Sequence, residues 1–216
     1  MSKPRYFPLP ATARPDGLLG IGGLLTTEWL LDAYRHGIFP WPLWDGTLAW
    51  FSPDPRAIFE FADFHVSRRM RDTLRSGKFT TTFDRAFADV MGGCATSGDR
   101  RDNTWITPEM RREYVRLHEL GHAHSVEVWH EGALVGGTYG VAIGGLFAAE
   151  SMFYRVRDAS KVALVRLCEH LQARGYGLWD IQQLTPHTAS LGAKEIGRAE
   201  YLKRVAAAVA MPTTFA

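Results

Sequence analysis

The chain has 216 residues, of which 46% are hydrophobic and 22% charged, which is ordinary usage for a folded globular protein. This composition excludes a largely disordered chain, and the net charge of only +2 means that any nucleic-acid binding must come from a local patch. The two cysteines are too few for a disulfide framework. Residues 1–15 lack the apolar run of a signal peptide, and no stretch approaches the ~18 apolar residues of a membrane-spanning helix. We therefore expect a cytoplasmic protein.

The N-terminal part is rich in Gly, Pro and Trp between residues 17 and 61, and we interpret residues 1–61 as a small domain. One helix is predicted there, because Thr26 or Thr27 can cap its start and Gly37 can end it. Residues 62–216 are predicted to form a second, larger domain.

Helices and strands alternate through this larger domain. Capping residues and helical spacing predict helices at about 67–74, 84–92, 107–121, 158–174 and 199–208. Strands are predicted at 79–83, 125–129, 134–141, 145–152 and 177–183, and the turn Glu131-Gly132 joins two of them in a hairpin. This order predicts an α+β fold, a mixed sheet with flanking helices.

The run from His118 to His122 matches H-E-x-x-H, in which two histidines one helical turn apart bind zinc and the glutamate acts as base. Gly121 and the strand pattern after it predict that the helix ends before the second histidine. The longer metzincin pattern fails, because Ser125 and Val128 stand where it needs Gly and His. A zinc peptidase with Glu150 as a distant third ligand is the alternative that this motif leaves open.

Two carboxylates lie in apolar strand patterns, where an unpaired acid is costly to bury. Glu150 follows the apolar residues 146–149, and Asp180 lies within residues 178–182. Gln182 is on the same face as Asp180, because side chains alternate along a strand. Such groups are either structural or functional, and we take these three as candidate catalytic residues.

A basic segment runs from Arg68 to Lys78 and contains one acidic residue, Asp72. It is typical of a solvated helix face, and it also has what binding to a phosphate backbone needs. The candidate nucleic-acid contacts are Arg68, Arg69, Arg71, Arg75 and Lys78.

Several aromatic residues lie beside Pro and Gly, where they can either stack on a nucleobase or belong to the core. They are Trp41, Trp44, Trp50, Phe51 and Trp105. The sequence contains neither a P-loop nor a G-x-S-x-G elbow, so any reaction should use a substrate that is already activated.

Eight blocks in the sequence together resemble the leucyl/phenylalanyl-tRNA–protein transferase family. They are residues 17–23, 33–41, 50–56, 104–107, 117–129, 134–141, 150–153 and 187–193. The resemblance implies an N-acetyltransferase-like (GNAT-like) fold, with residues 62–216 as the catalytic domain. It implies a leucyltransferase that moves leucine or phenylalanine, and less readily methionine, from aminoacyl-tRNA to an N-terminal Arg or Lys. Acceptor proteins would thereby be marked for N-end-rule degradation.

The same resemblance implies roles for individual residues. Asp180 and Gln182 would form a proton relay, and Glu150 would hold the aminoacyl amine. Our own hypothesis for the relay is that Asp180 polarises the Gln182 amide. Trp41 and Trp105 would surround the 3′ adenosine of the tRNA, and the basic segment would meet the tRNA body. The apolar side-chain pocket is expected to involve Thr138, Phe147, Leu164, Leu167, Leu171 and Trp179. Neither a metal nor another cofactor is implied, and we expect a monomer.

The chain departs from the family pattern around this pocket. Thr138, Trp179, Leu167 and Leu171 stand where some relatives have Met, Ile or Phe, which leaves open the preference between leucine and phenylalanine. An acetyl-CoA-dependent N-acetyltransferase is a competing hypothesis, but residues 154–160 contain none of the glycines of a pyrophosphate loop. A non-catalytic RNA-binding module is another, against which the acidic pair argues.

Overall fold

The computed structural model describes residues 3–43, 45–97 and 104–216. Within these residues ten strands form two sheets. The smaller sheet has the order β1-β3-β2 and is antiparallel throughout. Its strands are β1 (Leu18–Ile21), β2 (Phe39–Pro42) and β3 (Leu48–Phe51).

The larger sheet has seven strands in the order β10-β4-β9-β8-β7-β6-β5. They are β4 (Arg56–Phe59), β5 (Thr80–Phe83), β6 (Ala123–His130), β7 (Ala133–Ile143), β8 (Leu146–Tyr154), β9 (Leu178–Gln182) and β10 (Lys194–Ile196). All neighbouring pairs are antiparallel except β8 and β9, which are parallel. The predicted α+β class with a mixed sheet is therefore confirmed.

The described helices are α1 (Thr27–Arg35), α2 (Arg68–Arg75), α3 (Phe87–Thr96), α4 (Pro108–Glu119), α5 (Ala159–Ala173), α6 (Pro186–Ala189) and α7 (Arg198–Val209). Local signals set several of their ends as predicted. The Thr26 and Thr107 side chains cap α1 and α4 by accepting from backbone N–H groups. Gly37 follows α1 with φ +73°, a conformation that favours glycine. In the β6–β7 hairpin, Glu131 and Gly132 both have positive φ, as the tight turn requires.

Helix α3 begins three residues later than predicted. Asp84 was expected near its start, but the Asp84 carboxylate accepts from the backbone N–H of Ser125 at 2.8 Å and lies 2.7 Å from His124 Nδ1. Asp84 has φ 58°, and this turn delays the helix until Phe87.

Strands β1 to β4 and β10 were not predicted. The first four lie in the Gly-, Pro- and Trp-rich region, whose composition hides their alternation. Strand β4 precedes residue 61 and yet pairs with β10 and β9 in the larger sheet. The division into residues 1–61 and 62–216 stays a prediction.

Helices cover both faces of the larger sheet. One apolar cluster contains residues of α1, α3 and α4, a second is built around α5, and a third, smaller one contains residues of α7. Neighbouring residues of β7 belong to different clusters: Val141 to the first and Ala142 to the second, because successive strand side chains point to opposite faces. No helix among the described residues is both long and apolar enough to cross a membrane.

Candidate active site

A cavity of about 220 Å³ opens where the parallel ladder between β8 and β9 ends. The last residue pair of that ladder is Ala148 with Asp180. The next residues of the two strands, including Glu150 and Gln182, line the cavity. Among the described residues the lining is Phe39, Trp41, Phe59, Trp105, Thr138, Ala149, Glu150, Ser151, Met152, Leu164, Ile181, Gln182, Gln183, Thr185 and Thr188.

Glu150 and Gln182 are hydrogen-bonded to each other in this cavity. The Gln182 side-chain amide donates from Nε2 to Glu150 Oε1 at 2.9 Å. Tyr114 donates its hydroxyl to Glu150 Oε2 at 3.4 Å and is itself bonded to the hydroxyl of Tyr34. The tyrosines are fully buried and come from α4 and α1, so helices distant in sequence hold the carboxylate.

Burial raises the pKa of Glu150 from its ordinary 4.5 to about 7, although hydrogen bonds from Tyr34 and Tyr114 act in the opposite direction. The pKa values of both tyrosines are raised well above 10, first by burial and next by the Glu150 charge. Each tyrosine therefore stays protonated near neutral pH and can donate. The Glu150 carboxyl can change its protonation state in the range where cells operate.

Asp180 is fully buried and does not line the cavity. It accepts two hydrogen bonds from Arg56 and one from the hydroxyl of Tyr201. Its contact with Gln182 is through the backbone N–H, which donates to Asp180 Oδ1 at 3.0 Å. We expected Asp180 to act on the Gln182 side-chain amide, but that amide donates to Glu150 instead.

The two tryptophans predicted to meet the 3′ adenosine both line the cavity. The Trp41 and Trp105 rings stack on each other, with centroids 4.8 Å apart and planes 20° from parallel. Trp41 is 38% exposed, whereas Trp50 is 1% exposed and donates its indole N–H to the carbonyl of Gly22. Trp50 and Phe51 are residues of β3, packed in or against the core, and Trp44 lies outside the described residues.

Among the predicted pocket residues, Thr138 and Leu164 line the cavity. Four others do not, and are packed in the apolar cluster around α5: Phe147, Leu167, Leu171 and Trp179. Helical and strand geometry explains the difference. Leu171 lies two turns, roughly 10 Å, beyond Leu164 along α5. Phe147 and Trp179 oppose each other within the parallel ladder, before the cavity opens.

Sequence reasoning missed several lining residues, among them Phe39, Phe59, Met152 and Ile181. Met152 and Ile181 could have been found, because they are strand neighbours of the acids and amide that were identified. Phe39 and Phe59 lie in β2 and β4, where no strand was predicted. They reach the cavity through the packing of the two sheets.

The predicted basic residues of α2 and the turn after it are all exposed, whereas Met70 of the same helix is buried. Arg69 lies 3.8 Å from Asp158, and Arg75 lies 3.5 Å from Asp72. Arg71 donates to the carbonyl of Val66. The segment therefore presents exposed positive charge, and its contact with tRNA stays a prediction.

The H-E-x-x-H residues do not form a helical histidine pair. Helix α4 ends at Glu119, and Gly121 with φ +76° turns the chain before His122, as predicted. His118 lies instead near Asp84 and His124, and ligand atoms of these three residues are all within 4.8 Å of one another. A metal ion would have to displace existing bonds, because Asp84 is bonded to His124 and the Ser125 backbone, and His118 Nδ1 to the Ala123 carbonyl. These bonds explain the cluster as a link between β6, α4 and the turn before α3.

The sequence matches two family models. Residues 58–206 match leucyl/phenylalanyl-tRNA protein transferase, and residues 23–54 match the N-terminal domain of the same family. The curated leucyl/phenylalanyl-tRNA–protein transferase of Aromatoleum aromaticum is 54% identical over 187 residues, covering 87% of this chain and 79% of that protein. Its counterpart in Chromohalobacter salexigens is 52% identical over 204 residues, covering 94% and 80%.

Solved structures with some similarity include N-acetyltransferases. The ribosomal-protein-alanine N-acetyltransferase from Brucella melitensis is 13% identical with a TM-score of 0.36, covering 52% of this chain and 85% of that one. A GCN5-related N-acetyltransferase from Kribbella flavida is 14% identical with a TM-score of 0.40, covering 76% and 58%.

Proposed function

The chain belongs to the leucyl/phenylalanyl-tRNA protein transferase family, and from that premise we propose that it transfers leucine or phenylalanine from tRNA to protein N-termini. The observation that carries the proposal is the hydrogen-bonded pair of Glu150 and Gln182 in a cavity. One leucine, one isoleucine, one methionine and four aromatic side chains form most of the remaining wall, which suits an apolar aminoacyl group.

The reaction is the attack of an acceptor α-amine on the aminoacyl ester. A C–N bond forms, the ester C–O bond breaks, and the proton lost by the amine balances the one gained by the 3′-hydroxyl of the tRNA. The ester is already activated, so the step needs no ATP. We assign to Gln182 Oε1 the role of accepting a hydrogen bond from the attacking amine. We assign to Glu150 the role of holding the α-amine of the aminoacyl group. Placing ester and amine together supplies most of the acceleration.

The apolar part of the cavity would hold the transferred side chain. Phe59, Met152, Leu164 and Ile181 lie in this wall. An apolar pocket distinguishes side chains that differ by one methylene by only ~1–3 kcal/mol. Acceptance of both leucine and phenylalanine, and of methionine less readily, is consistent with such a wall.

The finer parts of the proposal rest on the family resemblance. Acceptors would carry an N-terminal Arg or Lys, and their modification would mark them for N-end-rule degradation. The exposed basic residues of α2 would meet the phosphates of the tRNA body. The protein would act as a monomer in the cytoplasm, where its aminoacyl-tRNA substrates are made.

Transfer can be tested with purified protein, radiolabelled leucyl- or phenylalanyl-tRNA, and synthetic peptides, with chelator present and without ATP. Label should enter peptides that begin with Arg or Lys, and not matched peptides that begin with Ala. An Arg peptide with an acetylated N-terminus is the control for attack by the α-amine. If the Aromatoleum aromaticum protein labels the peptides and this chain does not with either tRNA, the proposal is wrong.

A further inference from the structure

The Asp180 carboxylate is saturated with hydrogen bonds. Oδ1 accepts from Arg56 Nε at 2.8 Å and from the backbone N–H of Gln182 at 3.0 Å. Oδ2 accepts from Arg56 Nη2 at 2.6 Å and from the Tyr201 hydroxyl at 2.8 Å. A carboxylate offers about four lone-pair sites. Among the described residues, these donors account for all of them, and the side-chain amide of Gln182 is not one of the donors.

Three separate elements build this cluster. Arg56 belongs to β4, Asp180 to β9 and Tyr201 to α7, and all three side chains are at most 1% exposed. The Arg56 guanidinium also lies over two rings, 4.7 Å from the centroid of Phe39 and 4.5 Å from that of Tyr201. The carboxylate therefore has one available position, set by groups that cannot move independently.

Gln182 needs such a support. Its φ of 56° is in the left-handed region, which a glutamine rarely adopts and which usually favours glycine. Strand β4 pairs irregularly with β9 between Ala57 and Ile58, beside this residue. The bond from Gln182 N–H to Asp180 holds the backbone in the turn that places its side chain against Glu150.

We infer that Arg56 and Tyr201 are positioning residues that act through Asp180, fixing the backbone of Gln182 so that its amide stays bound to Glu150 in the cavity. The consequence for transfer rests on the proposed function, whereas the conformation of Gln182 does not. Asp180 in this arrangement contributes geometry, and its charge is balanced by Arg56 instead of serving a proton relay.

Removing one hydroxyl tests the role of Tyr201. The Tyr201→Phe variant should lose about tenfold in kcat, because small displacements of a reacting group cost up to ~100-fold. Its KM for leucyl-tRNA should be unchanged, since Tyr201 lies outside the cavity. Tyr176→Phe is the matched control: Tyr176 is also buried, its hydroxyl has no hydrogen-bond partner among the described residues, and its kcat should not change. An unchanged kcat in Tyr201→Phe, or an equal loss in Tyr176→Phe, would overturn the inference.

Amide hydrogen exchange gives a readout that does not depend on activity. The Gln182 N–H should exchange at least about fivefold faster in Tyr201→Phe than in wild type, because its acceptor is less firmly held. Amides in the centre of β7 should be unaffected. Equal Gln182 protection in both proteins would overturn the inference, whether or not the wild type transfers amino acids. Wild-type protein with no transfer but with this exchange pattern would refute only the proposed function.

A paired replacement separates geometry from charge. Asp180→Asn alone leaves the Arg56 charge buried without a partner and should destabilise the fold. Adding Arg56→Met to this variant removes the unpaired charge. The asparagine at position 180 still has a side-chain oxygen that can accept a hydrogen bond from the Gln182 N–H. The double variant should recover at least about tenfold in kcat over Asp180→Asn. If the double variant is folded and its Gln182 amide is protected but its kcat does not recover, the Asp180 charge takes part in the chemistry and the inference is wrong. If the double variant does not fold, the inference is tested by the Tyr201→Phe variant.

Discussion

Gln182 presents its side-chain NH₂ group to Glu150 at 2.9 Å, and this fixes which way the amide faces. An ionised carboxylate only accepts hydrogen bonds, so the nitrogen of the amide must be the atom that meets it. The carbonyl oxygen is then the atom that can accept a hydrogen bond from an incoming amine. Glu150 thus orients Gln182, in addition to its assigned contact with the aminoacyl group.

The rate of transfer should depend on the ionisation of Glu150. The carboxylate form is needed, and its pKa is about 7. The acceptor α-amine, with a pKa of about 7.7–8.0, must also lose its proton. Below pH 7 the logarithm of kcat/KM for the peptide should therefore rise with pH with a slope approaching about 2.

The variant Glu150→Gln removes one of these two ionisations. Its residual activity should follow a slope of about 1, from the amine alone. Initial rates measured between about pH 5.5 and 8.5 with an Arg peptide give both slopes. Parallel profiles for wild type and variant would exclude Glu150 as a titrating group in the reaction.

Glu150 should also make the fold less stable as pH rises. Its folded pKa of about 7 exceeds the ordinary 4.5, so between these values the folded state binds a proton that the unfolded state has lost. Stability falls over that range and stays lower above it. Glu150→Gln should match wild type below pH 4.5 and be more stable above pH 7, by roughly 1–3 kcal/mol. Urea unfolding at pH 4 and pH 8 measures this, and equal differences at both pH values would contradict it.

The size of the cavity should decide the preference between leucine and phenylalanine. Leu164→Ala removes a wall side chain and should lower the leucine-to-phenylalanine ratio of kcat/KM by about fivefold or more, which corresponds to ~1 kcal/mol. Leu167→Ala is the matched control on the same helix, since Leu167 is fully buried and does not line the cavity. It should cost ~2–5 kcal/mol of stability without changing the ratio. A similar shift in both variants would mean that the cavity does not hold the transferred side chain.

Trp41 should bind the end of the tRNA by stacking. Trp41→Ala should weaken leucyl-tRNA binding by ~1–3 kcal/mol, and Trp41→Phe by less, because a ring is retained. The Trp41 and Trp105 rings are 4.8 Å apart, so a base can enter between them only if they separate, and otherwise stacks on the outer face of one. Binding titrations with tRNA that lacks its 3′ adenosine provide the control. If Trp41→Ala weakens that truncated tRNA equally, the ring does not stack on the terminal base.

The basic residues of α2 should govern the salt dependence of tRNA binding. Reversing the charge of Arg68 and Arg71 removes two expected phosphate contacts and should flatten the plot of log K against log salt concentration by about 1.5. Arg14→Glu with Arg166→Glu is the charge-matched control, because Arg14 is exposed, Arg166 is partly exposed, and the two are already paired with Asp16 and Glu169. Equal slopes of log K against log salt concentration in the two double variants would mean that the α2 residues form a solvated helix face and do not contact tRNA.

The features that could be predicted from the sequence depend on neighbouring residues. Thr26 and Thr107 each cap the helix that begins at the next residue, and the Glu131-Gly132 turn joins adjacent strands. The buried acid and amide of the site were also identified, because a polar residue in an apolar strand is conspicuous. Helix α3 was misplaced because Asp84 is bound to residues about forty positions away, and no local pattern announces such a partner.

Only the tertiary structure decided how the site is assembled. Asp180 meets Arg56 across 124 positions of sequence and Tyr201 across 21, through strand pairing and helix docking. An apolar pattern shows that Leu164, Leu167 and Leu171 are buried, but not that Leu164 alone of these reaches the cavity. The sequence by itself therefore determined the family, the α+β class and the identity of the chemical groups, because these depend on residue type and local order. Which groups are in contact depends on long-range packing, and that packing places the Gln182 side chain against Glu150 and Asp180 against Arg56.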